Sequence, residues 1–314
     1  MTKNTMQKKW AFIANPIAGN GDGERIIPEL KKKIQHFGID ADIAITERPG
    51  HASELARKFA DLGYHNIIAV GGDGTMNEVG KAIIGKENII TGIIPAGTGN
   101  DFNQILGFPD RFEEQHWKLF FDMNVIQMDY GTCNGIPFFN GMGLGFDAEV
   151  AAKNYIAPGE TRMGGKGKYL RAILGTLFFF KEYIVHVKKD GKVEEMSCFI
   201  NTISNGRRYG GGFYLTPHAI ANDGLLDVCL IKKLGILKRL DILLKVSKGA
   251  HTGDKKVHYY TTDNFEVDFG KEVPFHVDGE VFYASTFDVR IYSQKIPVIF
   301  NPEGDHYFYL DNNK

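Results

Sequence analysis

Gly71-Gly72-Asp73-Gly74-Thr75 sets one carboxylate inside a run of glycines. The run follows the apolar stretch Ile67-Ile68-Ala69-Val70. It precedes Met76-Asn77-Glu78-Val79 and Ala82-Ile83-Ile84, where apolar residues recur at helical spacing. A glycine turn between a buried strand and a helix start lets the backbone approach a ligand closely. It also leaves N–H groups and the positive end of the helix dipole facing an anion. Phosphate is the expected occupant. A carboxylate in that field repels phosphate unless a cation stands between them, so Asp73 reads as a contact to Mg²⁺ or its water shell. The plainer alternative is a structural turn whose Asp caps the helix.

Two further turns follow the same logic. Asn15-Pro16, with Gly19, Gly21 and Gly23 behind it, is one; Gly97-Thr98-Gly99-Asn100-Asp101 is the other. Each alone is weak, because glycine-rich strand-to-helix turns are common. Three on one edge of one sheet are unlikely to be structural only. The first turn lacks the G-x-G-x-x-G dinucleotide fingerprint, and no G-x-x-x-x-G-K-[ST] P-loop is present. Farther on, His276-Val277-Asp278-Gly279-Glu280-Val281 carries the signature of a two-residue hairpin with Asp-Gly at its tip. Asn222-Asp223-Gly224 is strong turn chemistry. Asp147, directly before Ala148-Glu149-Val150, reads as a helix N-cap rather than a catalyst.

The elements that must position these residues alternate. Strands are expected at Ala11 to Ala14, Asp42 to Thr46, Ile67 to Val70 and Ile89 to Ile94. Between them lie helices through Leu30, Ile34 and Phe37 and through Ala52, Leu55, Ala56 and Phe59. That alternation predicts a parallel α/β sheet, whose ligands bind at the carboxyl ends of the strands. After Asp122 the pattern turns to strands: Phe138-Phe139, Ile184 to Val187, Cys198 to Ile203, Leu225 to Ile231, Phe265 to Phe269, Val281 to Ala284, Phe287 to Tyr292 and Val298 to Phe300. Phe287-Asp288-Val289-Arg290-Ile291 alternates as a half-buried antiparallel strand does. Helices are expected at Asp147 to Tyr155 and Lys168 to Phe180. The second places Tyr169, Leu170, Ile173, Leu174, Leu177 and Phe178 on one side, read as core before acyl-chain groove. The fold class is an N-terminal parallel α/β nucleotide-binding domain (1–128) followed by a β-rich, antiparallel sandwich-like domain (129–314). Whether the chain end packs back on the first domain is left open.

Composition narrows the function classes. The chain has 314 residues, 43% of them hydrophobic, and a net charge of −1, which gives no reason to expect nucleic acid as a partner. From Ile231 to Lys256 eight cations (Lys232, Lys233, Lys238, Arg239, Lys245, Lys248, Lys255, Lys256) stand against Asp241 and Asp254, a local excess of +6. Such a run is a solvated helix face or, more sharply, a surface for anionic headgroups. Cys133, Cys198 and Cys229 lack metal-ligand spacing and read as reduced, buried thiols in a cytoplasmic protein. The N-terminus lacks a signal-peptide core, and the most apolar window, Ala172 to Phe180, is about half of a membrane span.

Asn15-Pro16…Gly19, Gly71–Thr75 with Asn77-Glu78, and Gly97–Asp101 together resemble the diacylglycerol kinase catalytic domain family, which includes bacterial soluble lipid kinases. Gly143–Asp147, Gly210–Phe213, Thr216-Pro217 with Ala219, Asp223–Asp227 and Asp278–Glu280 resemble that family's later blocks, in its order. The resemblance covers nearly the whole chain; beyond Pro302 nothing is usable. The central pentapeptide is shared with NAD kinases and 6-phosphofructokinases, and the other blocks separate them.

The resemblance implies ATP-dependent transfer of the γ-phosphoryl group to a lipid alcohol, with diacylglycerol giving phosphatidic acid as the expected pair. It implies nucleotide contacts at Asn15, Pro16, Gly19, Thr46, Gly72, Asp73, Gly74, Thr75, Asn77, Glu78, Thr98 and Gly99. Asp73, Asp101 and Asp129 are implied to shape a magnesium-and-water network. A separate structural Mg²⁺ is implied at the Asp223 carboxylate with backbone oxygens of Ile220 and Leu225. Asp278 becomes the candidate base for the lipid hydroxyl, with Glu280 assisting. The expected setting is cytoplasmic, with transient contact at the inner membrane surface; a homodimer is left open. The alternatives are a NAD or sugar-phosphate kinase of the same nucleotide fold and a non-catalytic lipid- or nucleotide-binding regulator. Retention of both Asp73 and Asp278 weighs against the regulator.

Overall fold

A computed structural model of the chain describes residues 9–157, 160–161, 173, 175–189 and 192–310. They fall into two compact units: residues up to Met128 with Gln294–Tyr307, and Asp129–Ser293 with the residues from Phe308.

In the first unit, β1 (Trp10–Ala14), β2 (Ala41–Ile45), β3 (Asn66–Gly71) and β4 (Ile90–Pro95) form a parallel sheet in the order β2-β1-β3-β4. Every residue of β1, β3 and β4 is buried, as expected of parallel strands covered on both faces. The covering helices are α1 (Asp22–His36), α2 (His51–Asp61), α3 (Asp73–Ile83), α4 (Asp101–Ile105) and α5 (Glu114–Phe121). Trp10, Phe12, Trp117 and Phe120 are buried, with the Trp10 and Phe12 rings stacked at 5.7 Å. The strand order reverses between β1 and β3, where open α/β sheets form their ligand crevice.

In the second unit β5 (Val125–Cys133) pairs with β6 (Ile136–Phe138), and β7 (Gly141–Gly145) leads into α6 (Phe146–Asn154). A short ribbon of β8 (Tyr155–Ala157) and β9 (Glu160–Thr161) follows. Then come β10 (Tyr183–Lys189), β11 (Lys192–Cys198), β12 (Ile200–Ser204), β13 (Leu226–Ile231), a helix (Ile236–Val246), β14 (Val257–Thr262), β15 (Asn264–Val277) and β16 (Glu280–Ile299). The antiparallel order is β14-β13-β12-β7-β15-β16, with β10 joining β15 and β11. Met142, Leu144, Ile203, Phe275 and Val277 point into one hydrophobic core. Gly141, Gly143, Thr202, Ser204 and His276 therefore share the opposite face, Gly143 lying between Thr202 and His276.

The differences from the sequence expectation have physical causes. The strands expected at Val281 to Ala284, Phe287 to Tyr292 and Val298 to Phe300 are one strand, β16, whose end runs parallel to β4 with Val298 opposite Thr91. Phe265 to Phe269 begins the longer β15, whose register shifts between Asp268 and Val273. Strands β5, β7, β8, β9, β11 and β14 were not expected, and the strand expected at Cys198 to Ile203 is divided between the end of β11 and β12; β7 holds three glycines, so its neighbours rather than its propensity make it a strand. Asp147 is inside the first turn of α6 and not its N-cap. Six of the thirteen residues of the expected helix Lys168 to Phe180 lie outside the described residues, Tyr169, Leu170 and Leu174 among them. Of the rest, 175–179 are helical, Ile173 and Leu177 are buried, and Phe178 is exposed.

Candidate active site

The three glycine-rich turns of the first unit converge. An ideal Cβ on Gly19, whose φ is +59°, would stand 2.2 Å from the Ala96 carbonyl oxygen, so the first loop lies against the end of β4. A Cβ on Gly97 would stand 2.4 Å from the Gly72 Cα, so the second and third loops touch backbone to backbone. Asn15 Nδ2 donates to Thr75 Oγ1 at 3.2 Å, joining the first and second loops. Only glycine permits these approaches. Asn100, itself at φ 52°, closes the third loop: its Oδ1 accepts from Gly97 N at 3.0 Å and its Nδ2 donates to Gly97 O at 3.1 Å.

The carboxylates are not all where an open turn would leave them. Asp73 opens α3, and its Oδ1 accepts from Phe102 N at 2.8 Å, tying the second loop to α4. A Cβ on Gly99 would be 3.1 Å from Asp73 Oδ2 and 3.8 Å from Asp101 Oδ2, so both carboxylates overhang the third loop. Glu78 uses both oxygens on α2, accepting from Gly50 N at 2.9 Å and Ala52 N at 3.0 Å. Thr46 is buried beside β1, its N–H on the Ala14 carbonyl at 2.8 Å. Pro16, Gly74, Asn77 and Thr98 lie on the same turns and helix start, Asn77 buried and Thr98 exposed. Sequence reading missed two cations. Asp22 Oδ1 holds Arg25 at 2.8 Å and Asp22 Oδ2 holds Arg111 at 2.6 Å, on the loop that Gly19 shapes. No local signal links Arg111 to that loop 89 residues away.

In the second unit, Asp278 and Gly279 are the two tip residues of the β15–β16 hairpin, at φ 46° and 87°. Both lie in the left-handed region, as a type I′ turn requires. The Asp278 carboxylate accepts three backbone N–H groups: Phe139 at 2.8 Å on Oδ2, and Asn140 at 3.0 Å and Gly141 at 2.8 Å on Oδ1. In return, Asp278 N donates to Gly141 O at 2.9 Å. Glu280, the next residue on β16, is half-buried. Asp129 bonds within this unit as well: Oδ2 accepts from Gly224 N at 2.8 Å, and its own N–H donates to the Ala221 carbonyl at 2.8 Å. It is thereby tied to the turn of Asp223, whose Oδ1 accepts from Leu225 N at 3.0 Å. Nearby Asp227 is buried, which pushes its carboxyl up to about 6 even though Tyr259 donates to it at 2.5 Å.

Oxygen-rich sets such as these suit a hard cation. Among the described residues no three His, Cys, Asp or Glu side chains gather to hold a metal. Asp73 and Asp101, or Asp223 with carbonyls of its own turn (Ile220, Leu225), would each leave most ligand positions to water or phosphate, which is how Mg²⁺ is usually held. The cationic run is smaller than its sequence count. Lys238 and Lys245 pair with Asp241 and Asp254, and buried Arg239 pairs with Glu182 at 2.7 Å. Lys232, Lys233, Lys248, Lys255 and Lys256 make no ion pair among the described residues.

Residues 9–133 match the family described as the diacylglycerol kinase catalytic domain, and residues 141–300 match the YegS C-terminal NAD kinase beta sandwich-like domain. A diacylglycerol kinase of Bacillus subtilis (strain 168) is 28% identical over 278 residues, covering 87% of this chain and 90% of the relative. One of Staphylococcus saprophyticus is 27% identical over 278 residues, covering 88% and 90%. A solved structure from Bacillus anthracis str. Sterne aligns with a TM-score of 0.76 at 27% identity, covering 96% of this chain and 99% of that one. No helix among the described residues is long and apolar enough to cross a membrane.

Proposed function

The chain belongs to the diacylglycerol kinase catalytic domain family, and from that premise we propose that it transfers the γ-phosphoryl group of ATP to the hydroxyl of a lipid alcohol, diacylglycerol being the acceptor. The observation that carries this reading is the meeting of three glycine loops at the switch point of the first sheet, with Asp73 and Asp101 over the third loop. Backbone N–H groups and the N-terminus of α3 accept the phosphates. Arg25 and Arg111 add positive charge at the loop mouth. A Mg²⁺ ion held by Asp73 and Asp101 would offset phosphate charge there.

The acceptor oxygen attacks the γ-phosphorus, the bond to the bridging oxygen breaks, and the hydroxyl proton goes to Asp278 with ADP leaving. The three N–H groups on that carboxylate fix its direction, which suits a residue whose task is orientation as much as basicity. We also assign a transient membrane contact to the second unit. Arg239 donates to the carbonyls of Leu177, Phe180 and Leu234, so one guanidinium ties residues 177–180 to 234–239. Phe179 (84% exposed) and Leu237 (82%) stand out from these two segments, beside Lys181 and Lys233. An apolar patch rimmed by lysines favours an anionic bilayer surface.

The test is incubation with labelled ATP, Mg²⁺ and a panel of lipid alcohols in mixed micelles, alongside NAD and sugar phosphates. Transfer to diacylglycerol above all others is expected. Nucleotide binding without transfer to any acceptor would favour a regulator, and transfer to NAD alone would overturn the lipid assignment.

A further inference from the structure

Asp147 and His276 are 129 residues apart and meet over a glycine. His276 Nε2 lies 3.3 Å from Asp147 Oδ2, with both side chains largely buried. An ideal Cβ on Gly143 would stand 2.0 Å from that Asp147 oxygen and 2.3 Å from that His276 nitrogen. A side chain at residue 143 and this pair therefore exclude each other. The same arrangement recurs one step along β7, where a Cβ on Gly141 would stand 1.8 Å from Tyr209 Oη. The Tyr209 ring meets the His276 ring edge-on at 6.3 Å. Gly141 is also the residue whose N–H and C=O both bond Asp278.

The pair is energetically awkward as mere packing. Asp147 Oδ1, His276 Nδ1 and the hydroxyl of neighbouring Thr202 are buried without a hydrogen-bond partner among the described residues. A nearly buried carboxylate with one long hydrogen bond is costly, and apolar side chains of equal volume would stabilise the same sheet better.

We propose that Asp147 and His276 are positioning residues for the acceptor half of the reaction: joined over the glycines of β7, they hold the β15 side of the hairpin so that the Asp278 carboxylate points one way. His276 is the penultimate residue of β15, two residues before the Asp278 tip, and its register partner Gly143 is two residues after Gly141. The pair and the three N–H contacts thus clamp one turn from two successive rungs of the same ladder. The inference rests on the reading of Asp278 as proton acceptor.

The test compares His276→Leu, His276→Gln, Asp147→Leu, the double variant with Leu at both positions, Gly143→Ala and Asp278→Asn in the full chain. Each is assayed for kcat, for KM of ATP and of diacylglycerol, and for thermal unfolding. His276→Leu and Asp147→Leu should each lower kcat about 10- to 100-fold, the scale of a misplacement near 1 Å. KM for ATP should stay within about twofold, because the nucleotide loops belong to the first unit. The double variant should be no worse than either single one, because both remove the same contact. His276→Gln, which keeps a side-chain N–H for Asp147, should recover most of the rate. Gly143→Ala keeps every charge but forces the pair apart, and it should be slow as well.

A lowered melting temperature with unchanged kcat would overturn the inference, as would single effects that multiply in the double variant. Should His276→Leu fail to fold, equal kcat in folded His276→Gln and Gly143→Ala would overturn it equally. A slow Asp278→Asn beside a normal His276→Leu sinks the positioning role and leaves the base standing. A normal Asp278→Asn sinks the base itself and the inference with it.

Discussion

Asp278→Asn looks isosteric, and the structure says it is not neutral. One Asn oxygen can take the place of Asp278 Oδ1 and keep the contacts to Asn140 and Gly141, now at 3.0 and 2.8 Å. The side-chain NH₂ then faces the Phe139 N–H, which at present donates to Oδ2 at 2.8 Å. A bond to a charged acceptor contributes about 1.5–3 kcal/mol and a neutral one about 1 kcal/mol. At the low end of these ranges, losing one charged bond outright and weakening two others by about 0.5 kcal/mol each sums to about 2.5 kcal/mol. The turn itself adds nothing to that figure, because Asn-Gly adopts the same left-handed pair of residues. At about 1.4 kcal/mol per tenfold, amide hydrogen exchange at residues 139–141 should quicken about 100-fold. Both tryptophans, Trp10 and Trp117, belong to the first unit, so their fluorescence reports that unit and should melt unchanged. Loss of second-unit structure is to be followed by circular dichroism. Exchange within about threefold of the parent at these amides would refute the reasoning. Turnover has to be compared on folded protein, at a temperature below the variant's own transition, where a fall in kcat of about 10²–10⁴-fold is the general-base expectation.

Three further outcomes are expected. Gly97→Ala places a methyl 2.4 Å from the Gly72 Cα and 2.7 Å from Asn100 Oδ1, so nucleotide affinity measured by calorimetry should fall at least tenfold; unchanged affinity would remove the converging loops as the phosphate site. The unfolded chain loses the Asp227 proton near pH 4, while the fold holds it to about 6. Stability should therefore decline as pH rises between about 4 and 6, by about 3 kcal/mol; Asp227→Asn should flatten that part of the melting curve, and an unchanged slope would refute the assignment. Sedimentation with phosphatidylglycerol vesicles should weaken as salt shortens the reach of surface charge toward about 8 Å, and combined Phe179→Ser and Leu237→Ser should abolish it; binding equal to the parent would exclude that patch.

What the residues by themselves determined is local. Gly71–Thr75 and Gly97–Asp101 each carry glycine freedom and a helix start within a few positions, so turn, strand and phosphate chemistry are legible side by side. The Asp278-Gly279 tip is equally local: two residues able to take positive φ between alternating strands. The buried parallel strands announce themselves as apolar runs. Only the tertiary structure decided which atoms those carboxylates would meet. Asp73 ended on Phe102, Glu78 on α2, Asp278 on residues 139–141, and Asp147 on His276, with sequence separations from 26 to 139 residues. A carboxylate accepts from whatever N–H the fold brings within about 3 Å, and no spacing rule within one segment encodes that. The same holds for β7. Its glycines have little strand propensity; Gly141 and Gly143 are held in the strand because β12 and β15 flank β7 and because Tyr209, Asp147 and His276 occupy the space their side chains would fill.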